Sequence, residues 1–305
     1  MIALDPAENQ FTVQVERIVA KVYVEEADGL NKTASGATFS GLAFAMGQVN
    51  TKMYPVKYWN STNMVEDPNF SFDAADLISI TVNGESEENV PYYTDFVSQF
   101  RPDGYKQGSI DQAAFLTVGA ENATSGNLNV KYVPENTSKN QYRGELTYAC
   151  IRANFVPDQI ATYEDDGNGT MVLEFNPNTN TGTQPDYYVV RTKANEYLYF
   201  EDPDQADDYY ADYQAIVYEP EVYEDGLCYY HVLFNKGNGT TVATNNYDII
   251  RNEFYSLKIT KISQLGYNKP EITDPEIPIG QDTSIEILIE VQPWNFVEED
   301  IQLGR

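Results

Sequence analysis

Ser284-Ile285-Glu286-Ile287-Leu288-Ile289-Glu290-Val291 decides the fold class. Ile285, Ile287, Ile289 and Val291 recur with a period of two, the pattern of a strand that buries one face. Upstream, Tyr255-Ser256-Leu257-Lys258-Ile259-Thr260-Lys261-Ile262 alternates the same way, with Leu257, Ile259 and Ile262 on its apolar side. A Pro-rich acidic loop, residues 270–280, joins the two.

Working toward the N-terminus, the same signal repeats. Cys228-Tyr229-Tyr230-His231-Val232-Leu233-Phe234 reads as a strand ended by Gly237-Asn238-Gly239. Tyr197-Leu198-Tyr199-Phe200, Tyr187-Tyr188-Val189-Val190-Arg191 and Met171-Val172-Leu173-Glu174-Phe175 read as three more, and a strand begins at Leu146 and runs to Phe155. Residues 207–217 fit a short helix or a loop crossing. Residues 134–140 are polar and turn-forming, which predicts a linker and a division into an N-terminal domain, 1–140, and a C-terminal domain, 141–305. In the first half, Phe11-Thr12-Val13-Gln14-Val15 leads into Ile18-Val19-Ala20-Lys21-Val22-Tyr23-Val24, a nearly continuous apolar run of the kind covered on both faces. Gly29-Leu30-Asn31 breaks it. Leu77-Ile78-Ser79-Ile80-Thr81-Val82 ends at the turn Asn83-Gly84. Residues 85–112, punctuated by Pro91, Pro102, Gly104 and Gly108, read as loop, and 111–116 as one helical turn or a strand. Short strands at this spacing predict an all-β protein of β-sandwich domains.

Composition agrees and narrows the function. Of 305 residues, 42% are apolar and 13% aromatic, mostly Tyr, which suits pleated, half-buried surfaces. Asp and Glu number 47 against 19 Lys and Arg, a net charge of −28. That balance lacks the basic footprint nucleic acid requires and disfavours anionic lipid. No segment approaches a membrane span, and Met1-Ile2-Ala3-Leu4-Asp5-Pro6 has neither a basic n-region nor an apolar h-region, so an exported form would be a mature or trimmed one. Asn-x-Ser/Thr sequons, from Asn31 to Asn238, mark polar loops.

Catalytic and metal motifs are missing from the sequence. His231 is the single histidine, set mid-strand, so neither a Ser-His-Asp triad nor a His-based zinc site has its residues. Phosphate-binding glycine loops and cofactor signatures are absent, and the chain reads as no enzyme. A carboxylate pair for glycoside hydrolysis needs only two acids, and an abundance of acids singles out none. Glu164-Asp165-Asp166-Gly167-Asn168-Gly169 departs from the EF-hand pattern, because Phe175 stands where the closing Glu belongs, and it reads as a hairpin turn. Asp202, Asp204, Asp207 and Asp208 form a second acidic loop without a ligand pattern. Cys150 and Cys228 can make one disulfide or remain two buried thiols.

The anomaly is the end of the chain. Pro293 breaks the last strand, yet Trp294, Phe296, Val297, Ile301 and Leu303 follow it in a terminal segment expected to fray. Such a segment either folds back on its own sandwich or completes a neighbour's sheet; the residues alone leave both open.

Several stretches resemble the Bacteroidales fimbrillins, subunits of type V pili: Val15-Glu16-Arg17-Ile18-Val19-Ala20-Lys21-Val22; Pro134-Glu135-Asn136-Thr137 with Thr147-Tyr148-Ala149; Gly226-Leu227-Cys228-Tyr229-Tyr230-His231-Val232; Tyr247-Asp248-Ile249-Ile250-Arg251-Asn252-Glu253-Phe254-Tyr255; and Val291-Gln292-Pro293-Trp294-Asn295. The resemblance spans nearly the whole chain. It implies two transthyretin-like β-sandwich domains in tandem and a lipoprotein precursor exported through the outer membrane. It also implies Arg-specific removal of an N-terminal strand and polymerisation in a cell-surface fimbrium, each groove filled by the next subunit's C-terminal strand. Identical subunits and minor pilus subunits are the implied partners, with a host or bacterial surface ligand for adhesion. Fimbrillins carry a lipidated Cys and more chain ahead of the Val-Glu-Arg strand; here that strand begins almost at once, as expected of a processed piece, a trimmed form or a short variant, and the completeness of the N-terminal domain stays open. Glu253 stands where the family often has His. A rival reading on the same fold is a pilus-tip adhesin or glycan-binding protein, motivated by Trp59, Tyr92, Tyr93, Tyr209, Tyr210 and Tyr213 as candidate exposed aromatics.

Overall fold

The computed structural model describes residues 16–61, 64–71, 78–82, 85–92, 96–101, 110–119, 128–139, 142–180, 182, 184–236, 246–272 and 284–294. In chain order its strands are β1 (Val19–Glu26), β2 (Thr33–Ala34), β3 (Ala37–Gly47), β4 (Val49–Asn50), β5 (Tyr58–Trp59), β6 (Val65–Glu66), β7 (Ile78–Val82), β8 (Glu85–Tyr92), β9 (Phe96–Val97) and β10 (Leu116–Thr117). There follow β11 (Val130–Pro134), β12 (Tyr148–Pro157), β13 (Gln159–Asp165), β14 (Met171–Pro177), β15 (Tyr187–Arg191), β16 (Tyr197–Phe200), β17 (Glu221–Tyr223), β18 (Leu227–Leu233), β19 (Glu253–Ile262) and β20 (Ile285–Pro293). Among the described residues one α-helix, α1 (Pro203–Tyr213), interrupts them.

The predicted all-β sandwich is present. One sheet runs β11-β1-β19-β20 and the other β10-β3-β12-β18, with β2 paired to β3. Alternation assigns the faces. Ala20, Val22 and Val24 of β1, Tyr255, Leu257 and Ile259 of β19, and Ile285 and Ile289 of β20 point inward. They meet Phe39, Phe44 and Met46 of β3, Ile151 and Phe155 of β12, and Tyr230 and Phe234 at β18. Fully burying a side chain of this size is worth about 1.5–3 kcal/mol, so this apolar layer is the main support of the fold. The second sheet is also covered outside: Ala43, Ala45, Tyr148, Cys150 and Tyr229 pack under Phe100, Phe115 and Ile272.

Strands from before and after residue 140 interleave in both sheets. β1 lies parallel to β19, Lys21 opposite Phe254, and antiparallel to β11; β3 lies antiparallel to β12. The stretch expected to be a linker is buried: Glu135, Asn136, Thr137 and Ser138 are each no more than 2% exposed.

Several strands escaped the sequence reading, β3 and β13 among them. β3 is eleven residues long, but Ala-Thr-Phe-Ser-Gly-Leu-Ala-Phe-Ala-Met-Gly is low in β-branched residues and its alternation breaks at Gly41. The break is a β-bulge, the register with β12 shifting between Arg152 and Asn154. Gly41 has φ +59°, and a Cβ there would lie 2.8 Å from the Asn154 side-chain nitrogen. The bulge brings both Phe39 and Leu42 onto the core face. β13, also unread, forms a hairpin with β14. Residues 85–92, expected to be loop, are β8, paired antiparallel to β7 despite Pro91. Residues 112–114 form a 3-10 turn, and β10 follows it, so the helical-turn and strand readings of 111–116 each hold in part. The strand expected at 11–15 and the turns at Asn83-Gly84 and 237–239 lie outside the described residues.

β13–β17 and α1 form a side lobe. Ala161, Tyr163, Val190, Phe200, Ala206 and Tyr209 make its small core. The acidic loop at 202–208 proves to be a helix start, Asp202 accepting from the Asp204 amide at 2.9 Å with Pro203 in the first turn. The turn at 164–169 is the predicted hairpin: Asp165 Oδ1 accepts from the Gly167 and Gly169 amides, and Asp166 Oδ1 from Asn168.

Candidate functional site

The place where the C-terminal strand leaves the sandwich gathers the motifs read from the sequence. β20 is an edge strand, paired to β19 from Ile262–Ile285 down to Glu253–Pro293, with no described strand on its other side. Beyond Pro293 the Trp294 amide donates to the Asn252 carbonyl at 3.0 Å. The indole stacks on Tyr132 of β11, centroids 5.7 Å apart at 17°. The Arg17 guanidinium lies 4.3 Å over the ring and the Lys21 ammonium 5.7 Å from it. Arg17 also donates to the Trp294 carbonyl at 3.3 Å. The Val-Glu-Arg and Val-Gln-Pro-Trp stretches, at opposite ends of the sequence, thus meet on the outer face of one sheet. Tyr132, Lys21 and Phe254 form a cross-strand row there by register, and Lys21 also lies 5.2 Å from the Phe254 ring. Of the predicted tail residues, Trp294 is placed; Phe296, Val297, Ile301 and Leu303 lie outside the described residues.

A second pair of motifs forms a buried polar knot at one end of the sandwich. Glu135 Oε2 accepts from Arg251 Nη2 at 3.0 Å and Nε at 3.2 Å, with both side chains almost wholly buried. Arg251 Nη2 also donates to the Tyr54 carbonyl at 2.9 Å. Asn136 pairs with Ile249 through backbone bonds of 2.9 and 2.8 Å, and its Nδ2 donates to Thr147 Oγ1 at 2.8 Å. Ser138 donates from its amide to Asp248 at 3.2 Å and from its hydroxyl to Glu145. Asp67 accepts from the amides of Thr137 and Asn69 and from the Thr137 hydroxyl at 3.0 Å. Burial pushes the Asp67 carboxyl up to about 6 against these donors, aided by the nearby Glu135 charge. Burial also raises Glu135, and Arg251 opposes it. Sequence reasoning named the motifs but missed this knot, because polar residues there suggested exposure.

The disulfide left open by the sequence is not formed. Cys228 pairs with Ala153 and Cys150 with His231 on neighbouring strands, an odd offset that sends the two side chains to opposite faces of one sheet. Cys228 joins the inter-sheet core and Cys150 the outer cluster, both thiols free and raised by burial. His231 stacks on Tyr267, centroids 4.7 Å apart at 11°, and meets Tyr148 edge-on. Burial lowers it to about 4, so it is neutral at physiological pH.

The aromatics expected on the surface divide. Trp59 and Tyr213 are exposed; Tyr209 is buried against Phe200 and Tyr163, a correction whose cause is α1, whose inner face carries it. Tyr210 packs partly against the same cluster. Tyr92 ends β8, and Tyr93 lies outside the described residues.

Among known proteins, residues 221–300 match the model of the major fimbrial subunit protein type IV, fimbrillin, C-terminal part. No curated protein matches the chain. Solved structures similar to it include a fimbrilin from Porphyromonas gingivalis W83, 14% identical over 93% of this chain and 60% of that one, TM-score 0.39. Candidate cell adhesion proteins from Parabacteroides distasonis ATCC 8503 and Bacteroides eggerthii DSM 20697 are 15% and 13% identical over 92% of this chain, with TM-scores of 0.36 and 0.34. The chain spans 57–60% of the length of these structures. The matched segment contains β17 of the side lobe together with β18, β19 and β20, which supply strands to both layers of the sandwich and the Trp294 exit. Residues 221–300 are thus similar to the C-terminal part of the fimbrillin major fimbrial subunits.

Proposed function

We propose that the chain is a structural subunit of a cell-surface fimbrium that assembles with copies of itself by strand exchange, the segment beyond Pro293 acting as donor. The observation that carries the reading is the placement of β20: a family-matched edge strand from which the apolar tail continues. An edge strand presents unpaired backbone groups that only another strand satisfies in full. The tail supplies the large side chains, Phe296, Val297, Ile301 and Leu303, that such an exchange would bury in a neighbour. On this reading a lipoprotein precursor is exported through the outer membrane, and minor pilus subunits join the homopolymer. The acidic surface, with a net charge of −28, keeps unassembled subunits apart until a groove opens.

The test is the double substitution Val297→Asp with Ile301→Asp in cells that display the protein. Two charges in a dry groove are each costly, so the expected outcome is folded, secreted monomer without fibres in negative-stain micrographs. Fibres at the yield of the unsubstituted chain would overturn the donor role.

A further inference from the structure

A cleft of about 430 Å³ opens in the side lobe, bounded by β15, β16, β17 and the 264–267 turn. Its walls mix rings with charged and amide groups: Tyr197, Tyr218 and Tyr267 beside Arg191, Glu221 and Gln264. Tyr218 and Tyr267 are 46% and 38% exposed, large values for aromatic rings in a wall.

The walls are held in place before any ligand arrives. Tyr267 and Tyr229 exchange backbone bonds of 2.7 and 2.8 Å, and the Tyr223 hydroxyl donates to the Gly266 carbonyl at 2.9 Å. A Cβ on Gly266 would sit 2.4 Å from the Tyr229 carbonyl oxygen, so only glycine lets the turn approach the sheet this closely. His231, which is no part of the wall, backs the Tyr267 ring in a parallel stack. The Arg191 guanidinium lies 4.7 Å over Tyr218, and the Tyr197 hydroxyl reaches Gln264 Oε1 at 3.5 Å.

The chemistry of the lining selects a ligand class. Arg191 only donates, Glu221 only accepts, and Gln264 does both, which matches hydroxyl groups that each donate and accept. Tyrosine rings offer flat apolar faces for C–H surfaces. Glu219 and Glu221 oppose an anion, and the polar share of the wall opposes a lipid chain. A volume in this range suits a small molecule. We infer that this cleft binds a neutral saccharide, with Tyr218 and Tyr267 as stacking faces and Arg191, Glu221 and Gln264 as its hydroxyl partners. The site is separate from the β20 exit, so its failure leaves the polymerisation reading intact.

Saturation-transfer NMR on the full chain, with lactose, N-acetylglucosamine, mannose and sialyllactose as probes, tests the assignment. Transfer to the ring protons of at least one neutral sugar is expected, weakened about tenfold in Tyr218→Ala, the effect of losing one well-placed contact. Glu221→Gln is the second variant, because an exposed isosteric change leaves the fold intact while removing the charged acceptor; it too is expected to weaken transfer. Fibre formation should be unchanged in both. Absence of transfer from all three neutral sugars, stronger binding of sialyllactose than of lactose, or transfer indifferent to both substitutions would overturn the inference.

Discussion

Between the two sheets, Phe44, Ile151 and Leu257 belong to one apolar cluster, each fully buried. Beside them, the knot of Glu135, Arg251, Asp67, Glu145 and Asp248 is buried almost as deeply and is almost entirely polar. Both regions tie strands before residue 140 to strands after it, by opposite physics. The apolar layer gains from every atom removed from water, and its parts contribute separately. The knot breaks roughly even when complete, because the cost of desolvating its charges offsets their attraction, and it becomes a large liability when one partner is lost. Arg251 is the only cation buried so deeply among the described residues, so the knot depends on one side chain.

The largest effects should separate the two. Phe44→Ala is expected to cost about 3–5 kcal/mol in chemical denaturation through cavity formation. Arg251→Ala should cost a similar about 3–5 kcal/mol by leaving Glu135 uncompensated. The distinction lies in rescue: Arg251→Met combined with Glu135→Leu should recover most of the loss, whereas no second change beside the missing Phe44 ring does so without refilling its volume. Failure of the double variant to recover stability would show that the knot acts through shape, not charge.

A smaller effect concerns pH. Asp67 is raised to about 6 by burial, from an ordinary carboxylate value of about 4, so the native state holds its proton longer than the unfolded chain. Its contribution to stability is therefore fully present below about pH 4 and is lost as pH rises through 6, by about 3 kcal/mol. His231, lowered to about 4, acts with the opposite sign over the same window: the unfolded chain takes the proton first, and stability is lost as pH falls below about 6.5. The two slopes oppose each other in the unsubstituted chain. Asp67→Asn should make stability rise more steeply between pH 4 and 6.5, and His231→Gln should make it rise less or fall; equal slopes in both variants would contradict the assignment. Smallest is the exposed pair Lys261–Glu286, whose removal should change stability by less than about 1 kcal/mol.

The same contrast explains what was legible in the sequence. β19 and β20 were readable because alternation of large apolar residues reports a half-buried sheet directly, and β18 because its aromatic and branched residues suit a strand covered on both faces. β3 was not, since Ala43 and Ala45 pack a covered outer face where polar residues would normally mark the strand, and Gly41 shifts the phase. The knot carries no periodicity; its residues look like a solvated turn, and only the distant partner Arg251 makes their burial tolerable. The Trp294 contact was half visible: the apolar tail stood out, but Arg17, Lys21 and Tyr132 come from far along the chain. Tyr209 was misplaced because helix α1 was left undecided.

The most direct measurement is an unboiled denaturing gel of material sheared from producing cells, comparing the full chain with one ending at Pro293. Strand-exchanged polymers are held by whole ladders of backbone bonds and come apart slowly. The full chain should run as a ladder of oligomers and the shortened one as monomer alone. A ladder of the same length from the chain without residues 294–305 would contradict assembly through its C-terminal segment.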